Sequence, residues 1–292
     1  MASLKEVKSR ISSVISTQQI TKAMKMVAAA KLRKSQDRIM QMRPYAQKLS
    51  HLFQNLSAAD QDAQAWYNQQ REEIKILVVV ISSDRGLCGA FNSTIIKAAI
   101  RMASEKYPSQ LAKGNVTFLP LGKKAFEFFS KKNHPIVTDY WNVFHALSYD
   151  AVAEVGEFLM SSFKTGKYDK IEIIYNEFKN VATQILRTEQ FLPVAPVKKA
   201  VTVQESDYIY QPNQDEIITG LVPKSLKIQL YKALLDSNAA ENGARMTAMD
   251  KATENAGDLL KDLKLTYNRT RQAAITKEIL EIVAGAEALK SA

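Results

Sequence analysis

The C-terminal part of the chain, from residue 224 to 289, constrains the fold more than any other stretch. Its sequence favours helix, and its apolar residues recur in steps of three and four. The two apolar series are Met249, Ala252, Ala256, Leu259 and Leu263, then Ile275, Ile279, Ile282, Ala286 and Leu289. One helix over this range would be about 100 Å long at 1.5 Å per residue. A globular domain of a 292-residue chain cannot bury such a helix along its length, so the helix needs a partner helix.

The N-terminal stretch offers that partner. Residues 1–60 contain no glycine and a single proline, Pro44, which we expect to kink or loosen a helix. The apolar positions keep heptad spacing and then continue one step out of register: Leu4, Val7, Ile11 and Val14, followed by Ile20, Met24 and Val27. Such a shift is typical of a stutter, which locally relaxes a supercoil. Because the two helices lie at opposite ends of the chain, we expect them to pair antiparallel.

The middle of the chain, residues 74–193, is predicted to be an α/β domain. Its first strand, Ile74–Ser83, is rich in β-branched residues. The later elements are helix Asn92–Lys106, strand Val116–Gly122, helix Lys123–Lys132, a short strand in His134–Tyr140, helix Ser148–Lys164, and strands Asp169–Phe178 and Ala182–Pro193. This alternation indicates a mainly parallel sheet covered on both faces, with a hairpin at one edge. Residues 194–223 contain several prolines and are predicted to be a connector.

Composition and charge narrow the functional classes. The single cysteine excludes an internal disulfide and suits a reducing compartment. The N-terminus lacks the apolar segment of a secretory signal, and the longest apolar run, Ile76–Ile81, is far shorter than the roughly 20 residues of a spanning helix. Of the net charge of +10, residues 1–50 supply +9, from 11 basic and 2 acidic residues. Such a segment favours an anionic partner: nucleic acid, a lipid surface or an acidic protein.

The segment ISSDRGLCGAFN, Ile81–Asn92, lies where an α/β fold could bind phosphate. It has neither the G-x-G-x-x-G pattern nor the lysine of a P-loop. The three histidines, His51, His134 and His145, are scattered, and none forms a recognisable motif with Cys88 or a metal-site spacing. We therefore predict a tight turn with a packed cysteine, and no catalytic residue, cofactor or metal site.

A polar cluster interrupts the C-terminal seam. It contains Asn268, Arg269, Arg271 and Gln272, where a helical rod would need only apolar seam residues. Such a group of donors suits specific hydrogen bonds to a surrounding partner. Nucleic acid is a weaker alternative, because residues 1–50 hold only one aromatic residue, Tyr45, for base stacking.

Several long motifs resemble the gamma subunit of the rotary, F-type ATP synthases. They lie at Thr17–Arg38, Ser82–Asn92, Asp207–Pro212, Glu241–Leu260 and Ile275–Ala288, in the order found in that family. The resemblance implies an α/β fold in which a long antiparallel coiled coil of the terminal helices joins a central Rossmann-like domain. The implied segments are a first helix over 1–60, the α/β domain over 74–193, the connector over 194–223 and the last helix over 224–292.

The same resemblance implies a non-catalytic rotor, without cofactor, that couples proton-driven rotation of the membrane c ring to ATP synthesis, or the reverse. The implied partners are the alpha and beta subunits, the epsilon subunit and the c ring, at the cytoplasmic face of the bacterial cell membrane, without insertion into it and without nucleic acid. The positions matching partner contacts or coupling are Met24, Arg245, Arg271, Gln272 and Thr276. Those matching the bearing tip of the shaft are Ile282, Val283, Ala286 and Leu289.

Two other classes stay open from the sequence. One is a nucleotide-binding enzyme built on the central domain with a coiled-coil arm. The other is a basic coiled-coil protein that contacts nucleic-acid phosphates. Co-purification with alpha and beta subunits, without ATPase activity of the isolated chain, would separate the rotor from both.

Overall fold

A computed structural model describes residues 3–59, 66–194 and 214–290. Within the helices it does not describe the side chains of residues 43, 46, 47, 50–59, 214–219 and 288–290. The motif at Asp207–Pro212 and most of the predicted connector lie outside the described residues. The chain divides into two compact units, one formed by residues 1–27 with 246–292 and the other by residues 28–245.

The unit of residues 28–245 is built on a four-stranded sheet in the order β2-β1-β3-β4. The strands are β1 (Ile76–Ile81), β2 (Val116–Leu121), β3 (Lys170–Phe178) and β4 (Gln184–Leu192). β1 pairs in parallel with β2 and β3, and β4 returns antiparallel along β3. The predicted mainly parallel sheet with an edge hairpin is therefore confirmed.

Alternating residues of β1 supply two separate cores, because successive side chains of a strand point to opposite faces. Leu77, Val79 and Ile81 pack with helix α5 (Tyr149–Lys164) and with the buried residues of helix α6 between Val222 and Leu234. Ile76, Val78 and Val80 pack with helices α2 (Phe91–Lys106) and α4 (Lys123–Lys131). All six residues of β1 are buried, as their β-branched run predicts.

The long helices differ from prediction mainly at their ends. Helix α1 runs over Leu4–Ala59 and stays helical through Pro44. Helix α6 runs over Gln214–Lys290, so it begins ten residues before the predicted position 224 and contains Pro223. Val222 and Leu226 beside this proline are buried in the core, and this packing outweighs the loss of one backbone donor.

Two smaller elements also differ. The expected strand in His134–Tyr140 is only an isolated parallel bridge between Phe118 and Ile136, at the outer edge of β2. A short helix, α3 (Pro108–Ala112), follows α2 directly and was not predicted. Proline at its first position has the φ that a helix start requires, so Pro108 marks this helix as clearly as it marks the end of α2.

In the unit of residues 1–27 and 246–292, α1 and α6 form an antiparallel pair without the predicted stutter. Ile20 and Val27 are 59% and 56% exposed, whereas Thr21 is buried. The heptad positions 18, 21 and 25 therefore continue the seam of Val7, Ile11 and Val14 in register, but with polar residues. On α6 the predicted seam residue Leu259 is exposed, and its neighbour Leu260 is buried instead.

The polar seam positions of α1 are matched by polar groups of α6. The Thr21 hydroxyl lies 2.8 Å from the Thr253 hydroxyl, and Gln18 Nε2 donates to the Thr253 carbonyl over 3.5 Å. Lys25 pairs with Asp250 at 2.5 Å. Polar pairs inside a coiled coil fix its register at a cost in stability. This polar layer explains why the apolar pattern breaks in the sequence while the seam of the helix pair continues.

A double-mutant cycle tests the polar layer. Thr21→Val should lower the free energy of unfolding of the full chain by about 1 kcal/mol, because it removes the hydrogen bond between hydroxyls. The Thr21→Val, Thr253→Val pair should cost less than the sum of the single changes, since either change alone already removes the one hydrogen bond that the two hydroxyls share. Thr17→Val is the matched control, because the Thr17 hydroxyl bonds only to the Ser13 carbonyl of its own helix. Additive costs in urea unfolding would contradict the pairing.

Candidate partner-contact surfaces

The turn after β1, residues 84–88, begins at the carboxyl end of the central strand. Ser83 fixes the turn through two hydrogen bonds. Its hydroxyl donates to the Arg85 carbonyl over 2.7 Å, and its backbone N–H donates to Asn92 Oδ1 over 3.0 Å. Cys88 is buried, and Asn92 Nδ2 lies 3.2 Å from its Sγ. Burial raises the pKa of the Cys88 thiol, which keeps it protonated and a poor nucleophile. The predicted tight turn with a packed cysteine is confirmed.

Helix α6 crosses the edge of the sheet where β1 and β3 end. In an open α/β sheet this crevice, where the strand order reverses, is the usual ligand site. A Cβ built at Gly243 of α6 would lie 3.3 Å from the Phe178 ring and 3.5 Å from the Val181 carbonyl, so the helix packs closely against the chain after β3. The crevice is thus covered by the protein's own helix.

Arg245 of α6 bonds to the turn after β1. Its Nη2 donates to the carbonyls of Arg85 and Gly86 over 3.0 and 3.2 Å, and its Nη1 pairs with Glu241 at 2.5 Å. Both side chains are nearly buried. Burial raises the pKa of Glu241, and the neighbouring Arg245 guanidinium opposes that rise. The guanidinium of Arg245, which is predicted as a coupling residue, therefore donates its hydrogen bonds to groups of its own chain.

The C-terminal end of α6 extends past its helical partner. From Ile275 to Glu287 every residue is exposed. Several are large and apolar, among them Leu280 at 63% and Ile282 at 71% exposed. Exposed apolar residues in continuous array are typical of a surface that another protein covers. Of the predicted tip residues, Ile282, Val283 and Ala286 lie here, and the Leu289 side chain lies outside the described residues.

The predicted polar cluster lies just before this apolar end. Arg271, Gln272 and Thr276 are all exposed on α6. The Thr276 hydroxyl donates to the Gln272 carbonyl over 2.9 Å, which fixes these two residues on one face. In the part of the chain that the structure describes, the side chains of Arg271 and Gln272 form no hydrogen bond or ion pair. Their donors are free for a partner.

Met24 lies on α1, half-buried, between the seam residues Thr21 and Lys25. Around it the outward face of α1 carries the exposed apolar residues Ile20, Met26 and Val27. The exposed basic residues of the same helix are Lys5, Lys8, Arg10, Lys22, Lys31, Arg33, Lys34, Arg38 and Lys48. The N-terminal charge excess is therefore displayed to the surroundings, as a face for an anionic partner requires.

The described ranges, 3–59, 66–194 and 214–290, contain no group of three or more histidine, cysteine, aspartate or glutamate side chains placed to hold a metal ion. None of their helices combines the length and the apolar character needed to cross a membrane.

Comparison with known proteins decides the family. The family profile described as ATP synthase matches residues 3–289. The chain is 57% identical to the ATP synthase gamma chain of Cytophaga hutchinsonii, with all of both chains covered. It is 55% identical to the gamma chain of Flavobacterium psychrophilum, covering 99% of this chain and 100% of the relative. The chain belongs to the ATP synthase gamma-chain family.

Solved structures agree with this membership. The central stalk of the Tetrahymena thermophila mitochondrial ATP synthase is 26% identical with a TM-score of 0.58, covering 80% of this chain and 99% of that one. The rotor of the Euglena gracilis mitochondrial ATP synthase has a TM-score of 0.65, covering 93% and 98%, and at 20% identity it shows the fold alone. The predicted fold class, with long terminal helices and a central mainly parallel sheet, is confirmed.

The sequence analysis does not predict two features of the chain. The polar layer at 18, 21 and 25 could have been found by extending the heptad without shifting it. The exposed Leu87 could not, because only the structure shows that its backbone is left-handed, with φ of 62°, and its side chain 65% exposed.

Proposed function

We propose that the chain is the central-stalk rotor subunit of an F-type ATP synthase. It couples rotation of a membrane c ring, driven by protons, to ATP synthesis at the beta subunits, or the reverse, and makes and breaks no bond itself. Its proposed partners are the alpha and beta subunits, the epsilon subunit and the c ring. Through this complex it resides at the cytoplasmic face of the bacterial cell membrane.

One structural observation carries the proposal most directly. The last turns of α6 are exposed from Ile275 to Glu287, yet they are rich in large apolar residues. Exposed apolar residues in such an array mark a surface that another protein covers. We assign Ile282, Val283, Ala286 and Leu289 to the part of the shaft that turns inside the ring of alpha and beta subunits.

The polar cluster before this end is proposed as the specific contact with the ring. The side-chain N–H groups of Arg271 and Gln272 have no acceptor among the described residues, and Thr276 lies one helical turn from Gln272. The exposed bases of α1 suit acidic loops, with contacts worth about 0–1 kcal/mol each. Such weak contacts fit a bearing, because a few strong ones would hold the rotor at one angle. Met24 is proposed to face the ring beside these bases.

The rival reading, a nucleotide-binding enzyme, is disfavoured by α6 itself. The helix covers the carboxyl ends of β1 and β3, where such a site would lie. There the Arg245 guanidinium donates to backbone carbonyls of the turn after β1. The deciding experiment is co-expression with the alpha and beta subunits of the same source. The chain should co-purify with both, and the isolated chain should hydrolyse no ATP. ATPase activity of the isolated chain would overturn the rotor proposal.

Gln272→Leu tests the polar contact. In the assembled complex we expect ATP hydrolysis to fall by up to about tenfold, because one hydrogen bond to a partner is lost. The matched control is Asn255→Leu, an exposed amide on the same helix outside the cluster. Turnover and assembly equal to those of the unmodified chain would remove Gln272 from the contact.

A further inference from the structure

The edge of the sheet at which β1, β2 and β3 begin, called here the amino edge, is rich in lysines. Because the helices that connect parallel strands run back in the opposite direction, α2, α4 and α5 also end there. The exposed lysines of these segments are Lys75, Lys106, Lys113, Lys131, Lys132, Lys164 and Lys167. A lysine in the last turn of a helix complements the helix dipole. Lys75 and Lys167, however, precede strands, so the dipole does not account for the whole set.

Most acidic groups at the amino edge are engaged within the chain. Glu73 pairs with Lys170 at 2.5 Å. Asp169 Oδ2 accepts the backbone N–H of Lys75 over 2.8 Å. Glu172 is buried and takes the ammonium group of one of the seven lysines as its partner. The exposed acids that remain are Glu72 and Glu105. Among the described residues, six of the seven lysines thus form no ion pair, and the edge presents a net positive charge.

Hydrogen bonds between loops hold the amino edge as one frame. Arg71 Nη1, in the segment before β1, donates to the Phe163 carbonyl near the end of α5 over 2.9 Å. Gln110 Nε2 of α3 donates to the Glu73 carbonyl over 2.7 Å. The lysines are therefore displayed from a fixed backbone, so a partner meets them without first having to order the loops.

The residue type indicates the kind of partner. The planar guanidinium of arginine suits fixed, bidentate pairs with carboxylates, whereas lysine is a hydrated point charge on a flexible stem. The unpaired bases listed for the amino edge are all lysines, and Arg71 is bonded to its own chain. Flexible point charges suit a layer of negative charges that can move, such as the headgroups of anionic phospholipids.

The amino edge lies opposite the place where α6 leaves this unit. Arg245 is the last residue of the unit of residues 28–245, and it bonds to the turn after β1, at the carboxyl edge of the sheet. The part of α6 that is proposed to turn inside the alpha–beta ring follows Arg245 along the chain. Within this unit, the amino edge is thus the side away from that exit, which suits a surface directed to the membrane that carries the c ring.

We propose that the seven lysines of the amino edge form a contact surface for anionic phospholipid headgroups of the membrane that carries the c ring. The inference rests on the proposed rotor function. The contact is electrostatic and involves no insertion of the chain into the bilayer. Because headgroups diffuse laterally, such an attraction holds the rotor near the membrane without favouring one angle of rotation. Carboxylates fixed on a stationary protein would favour particular angles.

Flotation with lipid vesicles tests the contact. The chain is assembled with the alpha and beta subunits, because that complex is proposed to cover the other basic surface, on α1. We expect the complex to float with vesicles of phosphatidylcholine and phosphatidylglycerol, and not with vesicles of phosphatidylcholine alone. Raising the salt concentration should weaken the binding, since salt screens charges that face water.

Three lysines from different elements supply the test variant. Lys113→Gln, Lys131→Gln and Lys164→Gln together should lower the apparent affinity for the anionic vesicles by about tenfold or more, because each base near such a surface adds to the attraction. The same three positions changed to arginine keep their charge and should bind as the unmodified complex does. All three side chains are exposed, so neither variant should change unfolding of the chain in urea.

The matched control combines Lys97→Gln, Lys179→Gln and Lys232→Gln, which remove the same charge from exposed positions away from the amino edge. The control should bind the vesicles as the unmodified complex does. Equal losses in the two glutamine variants would overturn the proposal, and so would an unmodified complex that does not float with anionic vesicles. Loss of the c ring from the detergent-solubilised synthase of the edge variant, with its vesicle binding intact, would overturn it in favour of a protein contact. Failure of the chain to co-purify with alpha and beta would instead overturn the rotor function.

Discussion

Lys106→Met should destabilise the chain by about 3 kcal/mol, near the low end of the cost of breaking a buried ion pair. Glu172 lies in β3 with its side chain 1% exposed, and its Oε1 accepts from Lys106 Nζ and from the Tyr107 hydroxyl, the latter over 2.6 Å. Glu172 Oε2 has no hydrogen-bond partner among the described residues. The substitution would leave a carboxylate in the core with one neutral donor. The cost is at the low end because the Lys106 side chain is 47% exposed, so water can replace part of the lost interaction with Glu172.

The neighbourhood of this carboxylate explains why it is tolerated in the intact chain. Lys106 and Lys170 both lie over the Tyr107 ring, with Nζ 5.4 and 5.8 Å from its centroid. Burial raises the pKa of Tyr107, and the hydrogen bond to Glu172 raises it further, so the hydroxyl stays a donor at all ordinary pH. One cation, Lys106, and the Tyr107 hydroxyl therefore contact the buried acid, whereas Lys170 pairs with Glu73.

Urea unfolding of the full chain measures the effect. Lys97→Met is the control, an exposed lysine on the same helix, and should change stability by less than about 0.5 kcal/mol. Adding Glu172→Gln to Lys106→Met should restore part of the loss, since a neutral amide can still accept from Tyr107 without an uncompensated charge. If the double variant were as unstable as Lys106→Met alone, packing of the lysine stem rather than charge would be responsible.

The sequence predicts the sheet well because β1 is buried on both faces. Its residues Ile76–Ile81 need no partner to be recognised, since an uninterrupted apolar run of that length is typical of a central parallel strand. The antiparallel pairing of the terminal helices follows equally from lengths and periods. Both inferences depend on the spacing of apolar residues within one segment, and in these segments the apolar residues are the ones that become buried when the chain folds.

The errors arise where tertiary contacts reverse a local preference. Pro223 is a helix breaker by itself, but burial of Val222 and Leu226 keeps α6 helical through it. Thr21 is polar, so the apolar pattern shifts the predicted seam to Ile20 and Met24, whereas in the structure the Thr21 hydroxyl lies 2.8 Å from that of Thr253 on the other helix. In each case the deciding group is distant in the sequence, so no window of neighbouring residues contains the information.

The functional residues divide in the same way. Arg271, Gln272 and Thr276 could be proposed from the sequence, because polar residues where an apolar seam is expected are visible without a structure. The internal role of Arg245 could not be predicted, because its acceptors at Arg85 and Gly86 lie 160 and 159 residues away in the sequence. A motif match indicates that Arg245 matters, whereas the geometry indicates what it holds.

Gly122→Ala should destabilise the chain by roughly 3 kcal/mol, through backbone strain and a direct clash. Gly122 links β2 to α4 with a φ of 121°, a conformation that other residues rarely adopt. A Cβ there would lie 2.3 Å from the Ser82 carbonyl oxygen, which is backbone at the end of β1 and cannot rotate away. Gly86→Ala is a matched control in the neighbouring turn, where an added Cβ meets nothing within 4 Å.

The same substitution should reach the turn at 84–88 before the fold is lost. The backbone N–H groups of Lys123 and Lys124 donate to Asp84 Oδ1 and to the Ser83 carbonyl, each over 3.1 Å, so a displaced α4 start pulls on the turn. We therefore expect Gly122→Ala to lower the midpoint of urea unfolding and, below that midpoint, to raise maleimide labelling of Cys88. Gly86→Ala should do neither, because it keeps both carbonyl acceptors of Arg245. A lower midpoint with Cys88 still protected would mean that strain at Gly122 is absorbed by α4 alone, and that the turn is held from the side of Arg245.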